Sequence, residues 1–152
     1  KTKYNYIIPC NLYGEFDKFD AIQGHFVGAL INKIIQAKKK NEKYIKLFGD
    51  GKPKRQFMHA QDLAKVISMI VKKNISESFN VATIENYSVK KIAKIALEVC
   101  DFKNAKIHFV KSMPNGQMRK DIDTAIFEKN FPNFELIRLS DGIREIYEKL
   151  KK

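Results

Sequence analysis

The chain has 152 residues, of which 44% are hydrophobic and 30% charged, which suits one globular unit with a core and excludes a disordered tail. No uninterrupted apolar run approaches the length needed to cross a bilayer, and no stretch reads as a signal peptide, so neither a membrane span nor a membrane partner is expected. The formal charge is +12, but the basic residues are nearly all lysines spread along every predicted helix, with Arg55, Arg119, Arg138 and Arg144 as the exceptions; that is a solvated surface rather than a nucleic-acid footprint.

Taken in chain order, Tyr4 to Cys10 is a short aromatic and β-branched run ended by Pro9 and reads as a buried strand. His25 to Lys39 reads as a helix with Phe26, Val27, Leu30, Ile31, Ile34 and Ile35 on one face. Its Lys38 to Lys40 run ends the helix where the dipole favours cations. Tyr44 to Phe48 is a second strand, stopped by the turn residues GDGKP. Ala60 to Lys73 is a helix with Leu63, Val66, Ile67, Ile70 and Val71 in register, and Phe79 to Ala82 is a third short strand. Ser88 caps a helix whose apolar face is Ile92, Ile95, Ala96 and Val99. Lys106 to Val110 is a strand, followed by the exposed loop SMPNGQMRK and by two helices, Asp121 to Lys129 and Ser140 to Leu150. Alternating strands and helices predict an α/β architecture without internal repeats. Cys10 and Cys100 lie in apolar runs and read as reduced core thiols of a cytoplasmic protein. The opening KTKYNYIIP has no Met and runs almost at once into a strand, so the chain is expected to be a fragment of a longer protein.

Three places could carry chemistry. Asn11 follows a strand end, where ligands of open α/β sheets bind, and Gly14 lets the backbone turn tightly; a plain Asx-turn is the alternative. His25, at a helix start, could act as a general acid or base, or simply pack. In KLFGDGKPKRQFMHAQDL, Arg55 follows a flexible turn flanked by Lys52 and Lys54, which suits a bidentate grip on a diphosphate. His59 reads as a buttress for the next helix, and neither the Walker nor the dinucleotide glycine pattern occurs. The loop Pro114 to Lys120, taken alone, is a solvated surface.

The order of these motifs carries a resemblance. P-C-N-L-Y-G, G-H-F-V-G-A-L-I, L-F-G-D-G-x-x-x-R-x-F-x-H-x-x-D-L-A, F-N-V-A-T with Y-S-V-K-K-I-A, and P-N-G-x-x-R-K together resemble the C-terminal half of extended short-chain dehydrogenase/reductases acting on nucleotide sugars. Within that family the resemblance is to the GDP-L-fucose synthase group, whose members epimerise and then reduce GDP-4-keto-6-deoxymannose with NADPH. It runs from Tyr4 to Leu150, and implies that residues 1–152 are one substrate-binding half whose strands complete a Rossmann-like sheet.

By this resemblance, Pro9, Cys10, Asn11 and Leu12 lie along the nicotinamide end of NADP(H) or NAD(H), and Asn11 also reaches the sugar. His25 is the acid/base of epimerisation and lies near the cofactor. Lys33, Phe48, Arg55, Asn115 and Lys120 bind the nucleotide-diphosphate sugar, with Lys33 in place of the family's usual Arg, Phe48 of its Trp and Asn115 of its Asp. Gly24 and Gly28 replace a Ser and a Pro, and Gln61 an acid. The family's cofactor loop and its Tyr-x-x-x-Lys pair have no counterpart: Tyr4 and Tyr6 lack a Lys four residues on. The chain is therefore expected to be inactive alone and to dimerise or aggregate through open strand edges. Other nucleotide-sugar C4 reductases, 4-epimerases and dehydratases remain as alternatives, and outside the family a basic binding module.

Overall fold

The computed structural model describes residues 4–20 and 23–151. Thirteen elements follow one another among them: β1 (Ile7–Pro9), β2 (Asn11–Tyr13), α1 (Phe26–Lys39), β3 (Tyr44–Phe48), β4 (Lys54–Arg55), β5 (Phe57–His59), α2 (Ala60–Lys72), β6 (Phe79–Val81), β7 (Tyr87–Ser88), α3 (Val89–Val99), β8 (Lys106–Val110), α4 (Ala125–Asn130) and α5 (Leu139–Leu150). The strands form four pairs. β1 with β6, β2 with β5 and β3 with β8 are parallel, and β4 with β7 is antiparallel. Parallel neighbours need crossover connections, and helices supply them here, as the α/β expectation requires.

The expected buried strand Tyr4 to Cys10 is shorter and largely exposed: β1 covers only Ile7–Pro9, Tyr4, Tyr6 and Ile8 are exposed, and a separate strand, β2, follows it. Cys10 falls between β1 and β2, its amide still donating to the Val81 carbonyl at 3.0 Å, and the chain there passes from one partner strand to another. Asn11 therefore opens β2 opposite Phe57 rather than an Asx-turn. Gly14 has no left-handed torsion; a Cβ on it would lie 3.2 Å from that of Ala60, so its role is close approach to the start of α2. The helix expected from Asp121 begins only at Ala125. The preceding backbone is engaged elsewhere: the Ile122 amide donates to Gln56 Oε1 at 2.8 Å, and the Asp123 carbonyl accepts from Asn80 Nδ2 at 3.2 Å.

Helix ends follow local chemistry. Ser88 caps α3 by accepting from the Lys91 amide at 3.1 Å, and His59 caps α2 through Nδ1, which accepts from the Gln61 amide at 3.3 Å. α1, α2 and α3 each stop at a left-handed residue, Asn41, Asn74 and Asp101, with the paired closing bonds of a Schellman motif, such as the Glu42 amide to the Ala37 carbonyl at 2.9 Å.

Two apolar clusters result. The larger joins α1, α3 and α5 to β3, with Leu30, Ile31, Ile34, Ile92, Ile143 and Ile146 at its centre. The smaller gathers Met58, Val66, Phe79, Val81, Phe127 and Phe131 around β5, α2, β6 and α4. β2 and β5 run between the two clusters, and the carboxyl ends of β1, β2 and β3 open on one cavity beside them.

Candidate functional site

The cavity is about 990 Å³, a size suited to a drug-sized or nucleotide-sized ligand, and it is lined mainly by apolar groups. Its walls come from the segment after β1, the loop before α1, the first turns of α1, the ends of β3 and β5, the start of α2, and the loop at Pro114 and Asn115. Every residue expected to touch ligand except Lys120 lines it: Pro9, Cys10, Asn11, Leu12, His25, Lys33, Phe48, Arg55 and Asn115. Lys120 instead borders a smaller hollow of about 320 Å³ that shares Pro9, Cys10 and Asn11 with the main cavity. Its neighbour Arg119 is tied to Asp121 at 2.6 Å.

At one end of the cavity stand an aromatic ring and two cations. Lys33 Nζ lies 5.1 Å over the ring of Phe48 and donates to the Lys46 carbonyl at 3.3 Å. Burial lowers the Lys33 pKa below the ordinary lysine value, because the charged form loses solvent. Phe48 is 52% exposed and lines the cavity with part of its ring open. Arg55 is held by Nη1 donating to the Lys54 carbonyl at 2.6 Å, and Gly116 approaches its Nη2. Among the described residues no carboxylate forms an ion pair with Lys33 or Arg55, so this part of the cavity wall carries uncompensated positive charge.

Asn115 is committed to the protein. Its Oδ1 accepts from the Asp50 amide at 2.7 Å, fastening the late loop over the Gly-Asp-Gly turn. Asn11 is half committed: Nδ2 donates to the Gln56 carbonyl at 2.9 Å, and Oδ1 has no protein partner among the described residues. Gln56, buried, bridges the Thr83 carbonyl and the Ile122 amide and so sets the floor beneath Asn11.

His25 stands at the N-terminus of α1 without capping it; Nδ1 meets Asp17 Oδ1 at 2.8 Å. Asp17 was not singled out by the sequence reading, and the only signal for it was the acidic composition of the loop GEFDKFD. The deep end of the cavity holds Tyr13 and His59 edge to face at 5.2 Å. Burial and surrounding carboxylates raise the Tyr13 pKa, so this ring stays neutral.

Among curated proteins, the GDP-L-colitose synthase of Yersinia pseudotuberculosis is 33% identical over 84% of this chain and 42% of its own length. The GDP-L-fucose synthase of Dictyostelium discoideum is 29% identical over 94% of this chain and 45% of its own length. The crystal structure of a GDP-L-fucose synthetase from Naegleria fowleri bound to NADP superposes with a TM-score of 0.85 at 26% identity, over 95% of this chain and 45% of that one. The chain thus spans less than half the length of these relatives, and its strand pairs belong to part of a Rossmann-like fold. The family pattern of the NAD dependent epimerases and dehydratases matches residues 1–82 of the 152, and the chain belongs to the NAD dependent epimerase/dehydratase family.

Proposed function

We propose that this chain is the substrate-binding half of a nucleotide-sugar epimerase/reductase of the GDP-L-fucose synthase type, working with NADP(H) or NAD(H). The observation that carries the reading is that one cavity is lined by His25, by the strand-end segment Pro9 to Leu12, and by Lys33, Phe48 and Arg55. Phe48 offers a face for the base, and Arg55 and Lys33 neutralise the diphosphate. Asn115 holds the loop that closes this end, and Lys120 adds positive charge from the neighbouring hollow.

The residues present fit a flat ring bearing a carboxamide: Pro9 and Leu12 give apolar surface, and the uncommitted Asn11 Oδ1 can accept an amide N–H. When bound there, the nicotinamide supplies the hydride that reduces the C4 ketone. The residues of this chain hold the sugar in reach of that ring and exclude water, and His25 moves a proton at a carbon next to the ketone. Two copies of the whole enzyme form a homodimer in this reading.

In the complete enzyme, His25→Gln is expected to abolish solvent deuterium exchange at the epimerised carbons while leaving nucleotide-sugar binding in place. Exchange at the normal rate in the variant would remove His25 from the chemistry. Offering GDP-, UDP- and dTDP-linked 4-keto sugars in the same assay identifies the base and separates the epimerase from a simple C4 reductase, which exchanges nothing.

A further inference from the structure

We propose that Asp17 is a positioning residue for His25: it keeps the Nδ1 proton in place, so that Nε2 is the nitrogen that exchanges a proton with substrate. The inference rests on the proposed function for the identity of the reaction, though not for the state of the ring.

The contact is asymmetric. The His25 side chain is 78% exposed and that of Asp17 only 7%, so a buried carboxylate reaches out to an open imidazole. Asp17 Oδ1 accepts both from the Lys18 amide at 2.7 Å and from His25 Nδ1 at 2.8 Å. The amide bond fixes the direction of the oxygen before any ring is added. A carboxylate oxygen can only accept, so Nδ1 carries the hydrogen, and Nε2 is left without a protein partner among the described residues.

The loop is built to hold this carboxylate there. The Asp17 amide closes a turn onto the Gly14 carbonyl at 3.2 Å, and Asn32 Nδ2, nearly two turns into α1, donates to the Phe19 carbonyl at 2.5 Å. A Cβ on Gly24 would collide with the carbonyls of Lys18 and Asp20, and one on Gly28 would come within 3.4 Å of Asp17 Oδ2. Two glycines thus let the loop lie directly on the start of the helix. α1 has no acidic residue in its first turn and no side-chain cap, and a carboxylate there also complements the helix dipole. A counter-charge acts through space and does not by itself require a hydrogen bond to the imidazole. Oδ2 is buried and has no partner among the described residues, while Oδ1 is aimed at the imidazole.

The consequence covers both directions of proton transfer. As a base, neutral His25 takes the proton from the carbon beside the ketone onto Nε2; the C–H electron pair becomes the enolate and its charge rests on the ketone oxygen. As an acid, the imidazolium delivers a proton from Nε2 to the enolate carbon, which closes to the ketone; inversion there requires that the proton on the opposite face be handled by a second group, which the other half of the enzyme must supply. Nδ1 keeps its hydrogen throughout, and Asp17 stabilises the intermediate imidazolium.

The test uses the full-length enzyme labelled with ¹⁵N in histidine, with the His25 signals assigned by their loss in His25→Gln. At a pH where the ring is neutral, the wild-type spectrum should show the proton on Nδ1. In Asp17→Ala it should move to Nε2, the form a free imidazole favours. Deuterium exchange into substrate should fall by roughly 10²-fold or more with little change in KM, and Asp17→Glu should recover part of it. A wild-type ring protonated on Nε2 overturns the proposal, whether or not the alanine variant folds, and so does an alanine variant whose tautomer and exchange rate are those of wild type. If the wild-type enzyme exchanges deuterium into no nucleotide sugar, the functional reading fails, and the tautomers alone then decide the role of Asp17.

Discussion

At the scale of single residues, Gly49 and Asn115 show how one position can serve a site without touching ligand. Gly49 has φ +76°, and the space a Cβ would take there is filled by Asn115 Oδ1. Gly49→Ala should therefore strain the backbone by about 1–2 kcal/mol and evict the amide that holds Asp50. The expected result is a lower urea midpoint together with faster hydrogen exchange at the Asp50 amide. An unchanged Asp50 amide would mean that Asn115 does not hold the turn. Local sequence context singled out Arg55 and His25, and the family resemblance added Asn115. Neither could find Asp17, eight residues from His25 in a loop whose path depends on two glycines and an asparagine farther along.

At the scale of elements, periodicity located every long helix, because an apolar face recurring through three or four turns is a local signal. α1 starts one residue after the expected His25 and ends at the expected Lys39. The cap at Ser88 was equally local, and Ser88→Ala should cost about 1 kcal/mol, read as a drop in thermal midpoint. A variant as stable as wild type would mean that Lys91's amide finds another acceptor. Strands β4, β5 and β7, of two or three residues each, carry no periodic signal and exist only because a partner strand lies alongside. β5 in particular places Gln56 and His59, which shape the floor and deep end of the cavity.

At the scale of the whole molecule, burial sets the chemistry of groups far from the site. Cys100 lies fully inside the larger cluster, and burial pushes its thiol up from 9.0 to about 12, partly offset by Lys38. The folded state then holds a proton that the unfolded chain gives up from pH 9.0 onward. Stability is unaffected by this group below that pH and falls as pH rises between 9.0 and about 12, by at most roughly 1.4 kcal/mol per unit. Comparing urea midpoints across that range, the wild-type slope should exceed that of Cys100→Ala; equal slopes would show that the thiol ionises without unfolding. Tyr6 and Ile8, beside and on β1, are exposed, and β1 is one strand of a parallel pair. Open strand edges of this kind favour association with further sheet.

The sequence by itself determined the α/β alternation, the long helices with their caps, and the family, because these rest on local periodicity and on motifs a few residues long. Tertiary structure alone decided which motifs meet. It brought Arg55 to Lys33 and Phe48, left Lys120 on a separate hollow, turned Asn11 into a strand residue, and put a buried carboxylate behind His25. Such meetings depend on close approach between distant segments, at Gly14 against Ala60 or Gly28 against Asp17, and distances of that kind follow from the packing of the whole chain rather than from any local stretch.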